Sequence, residues 1–301
     1  MKENATKSKS LRKSVSNHHY KFILFAFSWF CLIHQVYPYS PPGDSSFHPY
    51  RVNYWVTGSV IGVGAVANYF GTKYILSKEE VSLTEMEALN KRIINSLDAW
   101  ALSQDPSKID AYGRYSDYTM ITAIALPVVL LFDKKMRHDW LDLLLMYMEV
   151  MSITTNIYEW SFFGPTFQNR LRPVCYYDQL PYDDRKSGDN RNSFYSGHVA
   201  TVAASSFFMT KVYCDYHPEL GNKKYFLYAA ATIPPLLLGY FRVKALRHFP
   251  SDVMVGTAIG ALCGILIPEI HRFRSKKISL GLYSSPEVIG LSLKWETDFR
   301  K

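Results

Sequence analysis

The chain has 301 residues, of which 48% are hydrophobic and 15% aromatic, and its formal net charge is +8. The positive balance carries no basic stripe with interleaved stacking aromatics, so nucleic acid is not an expected partner. Cys31, Cys175, Cys214 and Cys263 are too scattered for a disulfide framework, and no internal repeat or Gly-rich nucleotide loop is found.

The first 21 residues carry Lys2, Lys7, Lys9, Arg12, Lys13 and Lys21 ahead of an apolar stretch, Phe22 to Val36. That order is expected of a signal peptide or a signal anchor. Residues 1–53 are therefore read as a basic N-terminus with this segment and a Pro-, Ser- and Tyr-rich loop. Residues 54–117 are read as an apolar stretch, Tyr54 to Leu76, plus an amphipathic helix. For that helix Thr84 and Glu87 have the spacing of a capping box, and Met86, Leu89, Ile93, Leu97 and Trp100 repeat at helical intervals. If both Phe22 to Val36 and Tyr54 to Leu76 span, the basic N-terminus falls on the wrong side. One of them is then cleaved, re-entrant or peripheral.

Residues 118–270 hold five further apolar stretches: Tyr118 to Phe132, Leu141 to Tyr158, Val199 to Tyr213, Tyr225 to Phe241 and Val253 to Ile270. Several are close to or below the roughly 17 to 25 residues that cross a bilayer. A soluble helical bundle is the rival reading, and Asp142, Glu149, Pro127, Pro234 and Pro235 inside these stretches favour it. Charge placement favours the membrane. If all five span, the basic loops 133–137, 221–224 and 271–277 share one side, as cytoplasmic loops do. Residues 160–196 and 242–252 then share the other. A polar tail, 271–301, completes the chain. The fold class expected is all-α, a multi-helix transmembrane bundle with its site at one membrane face.

The side opposite the basic loops collects three polar clusters: Arg172-Pro173, Ser196-Gly197-His198, and Arg242 followed by His248 and Asp252. His248 and Asp252, four apart, share a face of a helix that runs into the apolar stretch from Val253, where a carboxylate can hold one imidazole nitrogen and leave the other to attack. Ser196-Gly197-His198 opens a helix, so its amides face outward as an anion site with Gly197 allowing close approach. Arg172 and Arg242 add guanidinium forks suited to phosphate oxygens. Taken singly, each cluster is an ordinary helix cap or surface ion pair. A zinc site lacks the His-Glu-x-x-His or Cys-pair spacing, so no metal and no cofactor are expected.

In this order the clusters resemble the type 2 phosphatidic acid phosphatase superfamily, which also includes bacterial acid phosphatases and vanadium haloperoxidases. The likeness is to its membrane-associated phosphatase branch. The family pattern is a Lys, six residues, then Arg-Pro; Pro-Ser-Gly-His; and Ser-Arg, five residues, His, three residues, Asp. The resemblance implies a membrane-bound hydrolase of a lipid phosphate or pyrophosphate monoester, multi-pass in the cell membrane and open to the periplasm or exterior. It implies His248 as nucleophile, Asp252 as its orienting group and His198 as the acid and later the base. Arg172, Arg242, Ser196 and Gly197 bind the phosphate. Three positions depart from the pattern: Pro165 replaces the Lys, Tyr195 the Pro and Phe241 the Ser. Arg170, Lys186 or Lys244 stands in for the missing cation. The alternatives are a soluble periplasmic acid phosphatase, a vanadate-dependent halide oxidant, and a degenerate lipid-binding member.

Overall fold

In a computed structural model of the protein, residues 48–272 are described in full, with the backbone of 278–285 and 288–295. The stretch Phe22 to Val36 with its Cys31, and residues 273–277 of the third basic loop, lie outside the described residues.

The described residues 48–272 belong to one compact helical unit. Its long helices are α1 (Tyr54–Leu76), α2 (Ile109–Ala125), α3 (Trp140–Trp160), α4 (Gly197–Tyr216), α5 (Ile233–Lys244) and α6 (Pro250–His271). Beyond that unit, β1 (Ile278–Ser285) and β2 (Val288–Trp295) pair antiparallel, with Ile278 opposite Trp295 and Ser285 opposite Val288. Ile278, Leu280 and Leu282 alternate with Ser279 and Gly281, the two-residue period of a strand, which a reading of the tail as merely polar passes over.

Helix α4 is central, with α2, α3, α5 and α6 packed on it. One core layer joins Val150, Phe208, Val212, Tyr216, Cys263 and Ile267; another joins Val199, Val202, Leu238, Phe249 and Val253. The α4–α6 contact is backbone-close. A Cβ added at Gly256 would meet the Ser196 carbonyl at 2.6 Å, at Gly260 the Ala200 carbonyl at 2.0 Å, and at Gly264 the Ala204 carbonyl at 2.5 Å. Small residues every fourth position on one face let the two axes approach. Gly260→Ala is accordingly expected to force the helices apart and to lower stability by about 1–3 kcal/mol, measured as thermal unfolding in detergent. An unchanged midpoint would show that α4 and α6 are not held at this distance.

Three segments, Pro106–Phe132, Pro218–Lys244 and Pro250–His271, are long and apolar enough to cross a membrane. Large apolar side chains face outward along the bundle, including Val66 and Phe70 on α1, Ile121 on α2 and Leu262 and Leu266 on α6. A contiguous apolar exterior of this kind fits lipid rather than water. Both acids that favour a soluble bundle are hydrogen-bonded, Asp142 at the surface and Glu149 in the interior. Asp142 accepts from the Tyr54 hydroxyl at 2.8 Å, and Glu149, 1% exposed, accepts from Thr57 Oγ1 at 3.0 Å and sits 2.8 Å from His271 Nε2.

Several boundaries move. The expected amphipathic helix over 86–100 is instead a five-residue helix, Leu83–Glu87, then short turns at Lys91–Ile93, Ser96–Ala99 and Trp100–Ser103. Asn90 and Asn95 each accept from a backbone N–H just ahead, and such side-chain caps restart a turn rather than continue one. The capping box is Ser82 with Glu85, two residues before the expected pair. The stretch Tyr225 to Phe241 is broken between Ala230 and Ile233 ahead of Pro234 and Pro235, and α2 tightens to a 3₁₀ turn from Leu126, next to Pro127.

The two ends of the bundle differ. At one end the loops bearing Lys135 and Glu219 meet at 2.7 Å, as do Asp133 and His217 at 2.9 Å. The loops with the three polar clusters come together elsewhere, around the start of α4 and α6.

Candidate active site

The start of α6 and the loop before α4 are tied backbone to backbone, since Ser196 N donates to the Asp252 carbonyl at 3.1 Å. His248 stands in that junction, 1% exposed. Leu246, two residues before it, adopts φ 55, and its side chain is wholly buried. A left-handed branched residue is unusual. Here it turns the chain between α5 and α6 so that Arg242 and His248 face each other.

His248 Nδ1 donates to the Ser193 carbonyl at 2.7 Å. Because a carbonyl only accepts, Nδ1 carries the proton and Nε2 presents its lone pair. Arg242 Nη2 lies 3.5 Å from that Nε2. The structure departs here from the role expected of Asp252. Its Oδ2 is 3.7 Å from His248 Nδ1, beyond a hydrogen bond, and instead accepts from Ser193 Oγ at 2.7 Å and Phe249 N at 2.8 Å. The i, i+4 spacing predicts one helical face, but α6 begins at Pro250, so His248 lies in the loop before the helix and only Asp252 is on it. Nor could the spacing foresee that the Ser193 carbonyl intervenes.

His198 opens α4. Arg242 beside it, then burial, His248 and Arg172, hold its pKa well below the usual histidine range. Burial, then Arg242 and Arg172, does the same to His248. Both rings are thus neutral near pH 7. An unfolded histidine, with pKa about 6.5, takes up a proton before either buried ring does. Stability is therefore fully present above about pH 6.5 and lost as pH falls below it toward the folded values. Thermal unfolding in detergent between about pH 7 and 5 should show that loss, and His198→Asn should flatten it.

Arg172 and Arg242 are buried, and Arg172 Nε, Arg242 Nε and Ser196 Oγ have no hydrogen-bond partner among the described residues. Unpaired buried donors are rare in folded proteins, and three in one cluster with two guanidinium groups have the chemistry that suits anionic oxygens. Arg172 Nη1 and Nη2 also hold Asp189 at 2.5 and 3.2 Å. Asp189 comes from the loop over residues 176–193 and was not singled out in the sequence. Gly197 earns its place sterically, since an added Cβ would meet the Tyr158 ring at 2.9 Å. Tyr195 is fully buried, its preceding peptide is cis, and its ring packs on Tyr158 and Phe163.

The proposed replacements for the missing Lys are distributed otherwise. Arg170 bridges Asp98 at 2.7 Å and Asp252 at 2.5 Å. Lys244 lies over the rings of Trp100, Tyr112 and Tyr240 at 5.6 to 6.0 Å, and Lys186 pairs with Asp183. A cation that reaches Pro165, on its backbone carbonyl, is Lys78, just past α1. Its Nζ donates to the Pro165 carbonyl at 2.5 Å, the Gln168 carbonyl at 2.8 Å and Asn169 Oδ1 at 2.9 Å. Burial, aided by Arg191 and opposed by Asp189, lowers its pKa to about 8. No local sequence signal links Lys78 to that loop.

Fold and site together define a helical bundle in which two histidines, His198 and His248, stand beside the buried guanidinium groups of Arg172 and Arg242. The PAP2 superfamily model matches residues 139–276, a segment containing all three clusters. The resemblance read from the motifs is thereby borne out, over a segment that begins later than residue 118. Among solved structures, the chain is similar to one described as the first transmembrane PAP2 type phosphatidylglycerolphosphate phosphatase, from Bacillus subtilis. The identity is 21% and the TM-score 0.40, over 72% of this chain and 98% of that one. No curated protein matches the chain.

Proposed function

We propose that this protein is a membrane-bound phosphatase that hydrolyses a lipid phosphate or pyrophosphate monoester through a phosphohistidine, using only its own side chains. The observation that carries this reading is His248 Nε2, deprotonated because Nδ1 donates to Ser193 and facing Arg242 beside unpaired buried donors.

The phosphoryl group binds between Arg172 and Arg242, with Ser196 Oγ completing the cradle. His248 Nε2 attacks phosphorus and the bond to the leaving oxygen breaks. His198 delivers a proton to that oxygen. Arg242 and Arg172 hold His198 neutral, and a bound phosphate offsets those two charges, so substrate itself readies the acid. The imidazole of His248 becomes cationic as the N–P bond forms, and the Asp252 carboxylate, 3.7 Å from Nδ1, stabilises that charge. Water then loses a proton to His198 and attacks phosphorus. The N–P bond breaks, phosphate leaves and His248 returns to its starting tautomer. The guanidinium groups act on the equatorial oxygens, where charge accumulates in the transition state.

A site where apolar helices end suits a substrate whose tail stays in lipid. Phosphate release from an isoprenyl pyrophosphate, a phosphatidate-type phospholipid and a lipid A phosphate, set beside small water-soluble esters, tests this. Turnover of at least one lipid above any soluble ester is expected. Faster turnover of the soluble esters would favour a general acid phosphatase. The site is read as facing away from the cytoplasm because its loops lie opposite the basic ones in parity. A reporter fused after Arg185 should behave as non-cytoplasmic, and the opposite result would remove that orientation.

A further inference from the structure

The nucleophile's junction is braced by a residue from outside the matched segment. Asp98 lies in a four-residue helix, Ser96–Ala99, between α1 and α2, and is wholly buried. A buried carboxylate is costly unless its oxygens are satisfied. Those of Asp98 are saturated. Oδ2 accepts from Arg170 Nη2 at 2.7 Å, Ser251 Oγ at 2.8 Å and Asn95 Nδ2 at 2.8 Å, and Oδ1 accepts from Ser251 N at 2.9 Å. Burial raises its pKa, but the bonds from Ser251, Arg170 and Asn95 outweigh it and keep the carboxyl below its ordinary value.

Arg170 uses its other terminal nitrogen on the site. Nη1 donates to Asp252 Oδ1 at 2.5 Å and Ser251 Oγ at 2.8 Å, and the guanidinium lies 4.4 Å over the Phe249 ring. Asp252 in turn accepts from Ser193 Oγ, and the Ser193 carbonyl receives His248 Nδ1–H. The chain of contacts is continuous: Asp98, Arg170, Asp252, Ser193, His248. A second branch runs from Asp98 to Ser251, the residue before Asp252 at the start of α6.

We propose that Asp98 is a positioning residue for the reaction at His248. By clamping Arg170 and Ser251 it fixes the Asp252 and Ser193 groups that hold the imidazole in its attacking tautomer. Its charge also balances Arg170, so that this guanidinium stays on Asp252 and does not swing into the anion cradle. Short turns between α1 and α2 thereby become part of the active-site frame. The inference rests on the proposed phosphatase reading.

The test uses the full-length protein in detergent with a lipid phosphate that the wild type turns over. Asp98→Asn keeps the shape and removes the charge. It should lower kcat roughly tenfold to a hundredfold, the range seen when a group that orients a reacting side chain is lost, with KM changed less than about twofold. In an Arg170→Gln background the same change should have little further effect, because the two act as one unit. Asp98→Glu should recover part of kcat. Should Asp98→Asn not fold, Ser251→Ala removes one branch and should lower kcat by a smaller factor with KM unchanged. An unchanged kcat in a folded Asp98→Asn protein, a loss confined to KM, or an effect fully additive with Arg170→Gln would overturn the proposal. An unaffected Ser251→Ala protein would do so if Asp98→Asn does not fold. A wild type that releases no phosphate from any ester fails differently, since it removes the phosphatase reading itself.

Discussion

Replacing His248 with Ala is expected to abolish phosphate release, with a loss on the order of 10⁴-fold or more, as when a covalent nucleophile is deleted from an enzyme whose groups act together. The effect is large because His248 has a ring nitrogen held in the lone-pair form by a backbone acceptor and turned toward the Arg242 guanidinium. The fold should persist, since the ring's hydrogen bond ends on a carbonyl that a water can satisfy. Phosphate release from the lipid panel by wild type and variant, with rapid quenching at alkaline pH to preserve an N–P bond, reads both turnover and intermediate. A variant that keeps a tenth of wild-type activity would transfer the nucleophile elsewhere.

The second large effect belongs to Arg242. Arg242→Ala should lower kcat/KM by roughly 10²- to 10³-fold, the usual cost of removing one preorganised donor from a developing oxyanion. Lys should rescue poorly, because an ammonium cannot reproduce the planar fork. A second signature separates electrostatics from collapse. Arg242 is the largest influence holding His198 below the usual histidine range. Without it the ring should protonate at higher pH, moving the histidine titration upward in an NMR experiment on the free protein. An Arg242→Ala protein with an unshifted His198 would mean that the two side chains do not share one electrostatic site.

How much of this was legible in the sequence depends on whether a partner is near in the chain. The three clusters were readable because each is short, and because Ser196-Gly197-His198 and Pro250 onward open long helices with familiar start signals. The long helices were readable from apolar length, with errors where Pro127, Pro234 and Pro235 interrupt. The links between clusters were not readable. The Ser193 carbonyl rather than Asp252 accepts the hydrogen bond from His248 Nδ1, because the loop before α4 is pressed against the start of α6 by a glycine face visible only once the helices meet. Asp98 and Lys78 act on residues 72 and 87 positions away along the chain. Asn90 and Asn95 hid the first by cutting an apparently periodic helix into turns.

The glycine face has a mechanical meaning as well. Two helices whose backbones touch have no side-chain cushion along which to slide or rotate, so the ends that carry His198 and Asp252 move as a single rigid piece. Under the proposed reading, whatever admits a long-tailed substrate must therefore come from parts not tied to that piece, the outer helices first among them, since Asp98 and Ser193 bind the turns before α2 and the loop before α4 to the start of α6. The reacting groups keep a fixed gauge while the entrance around them yields.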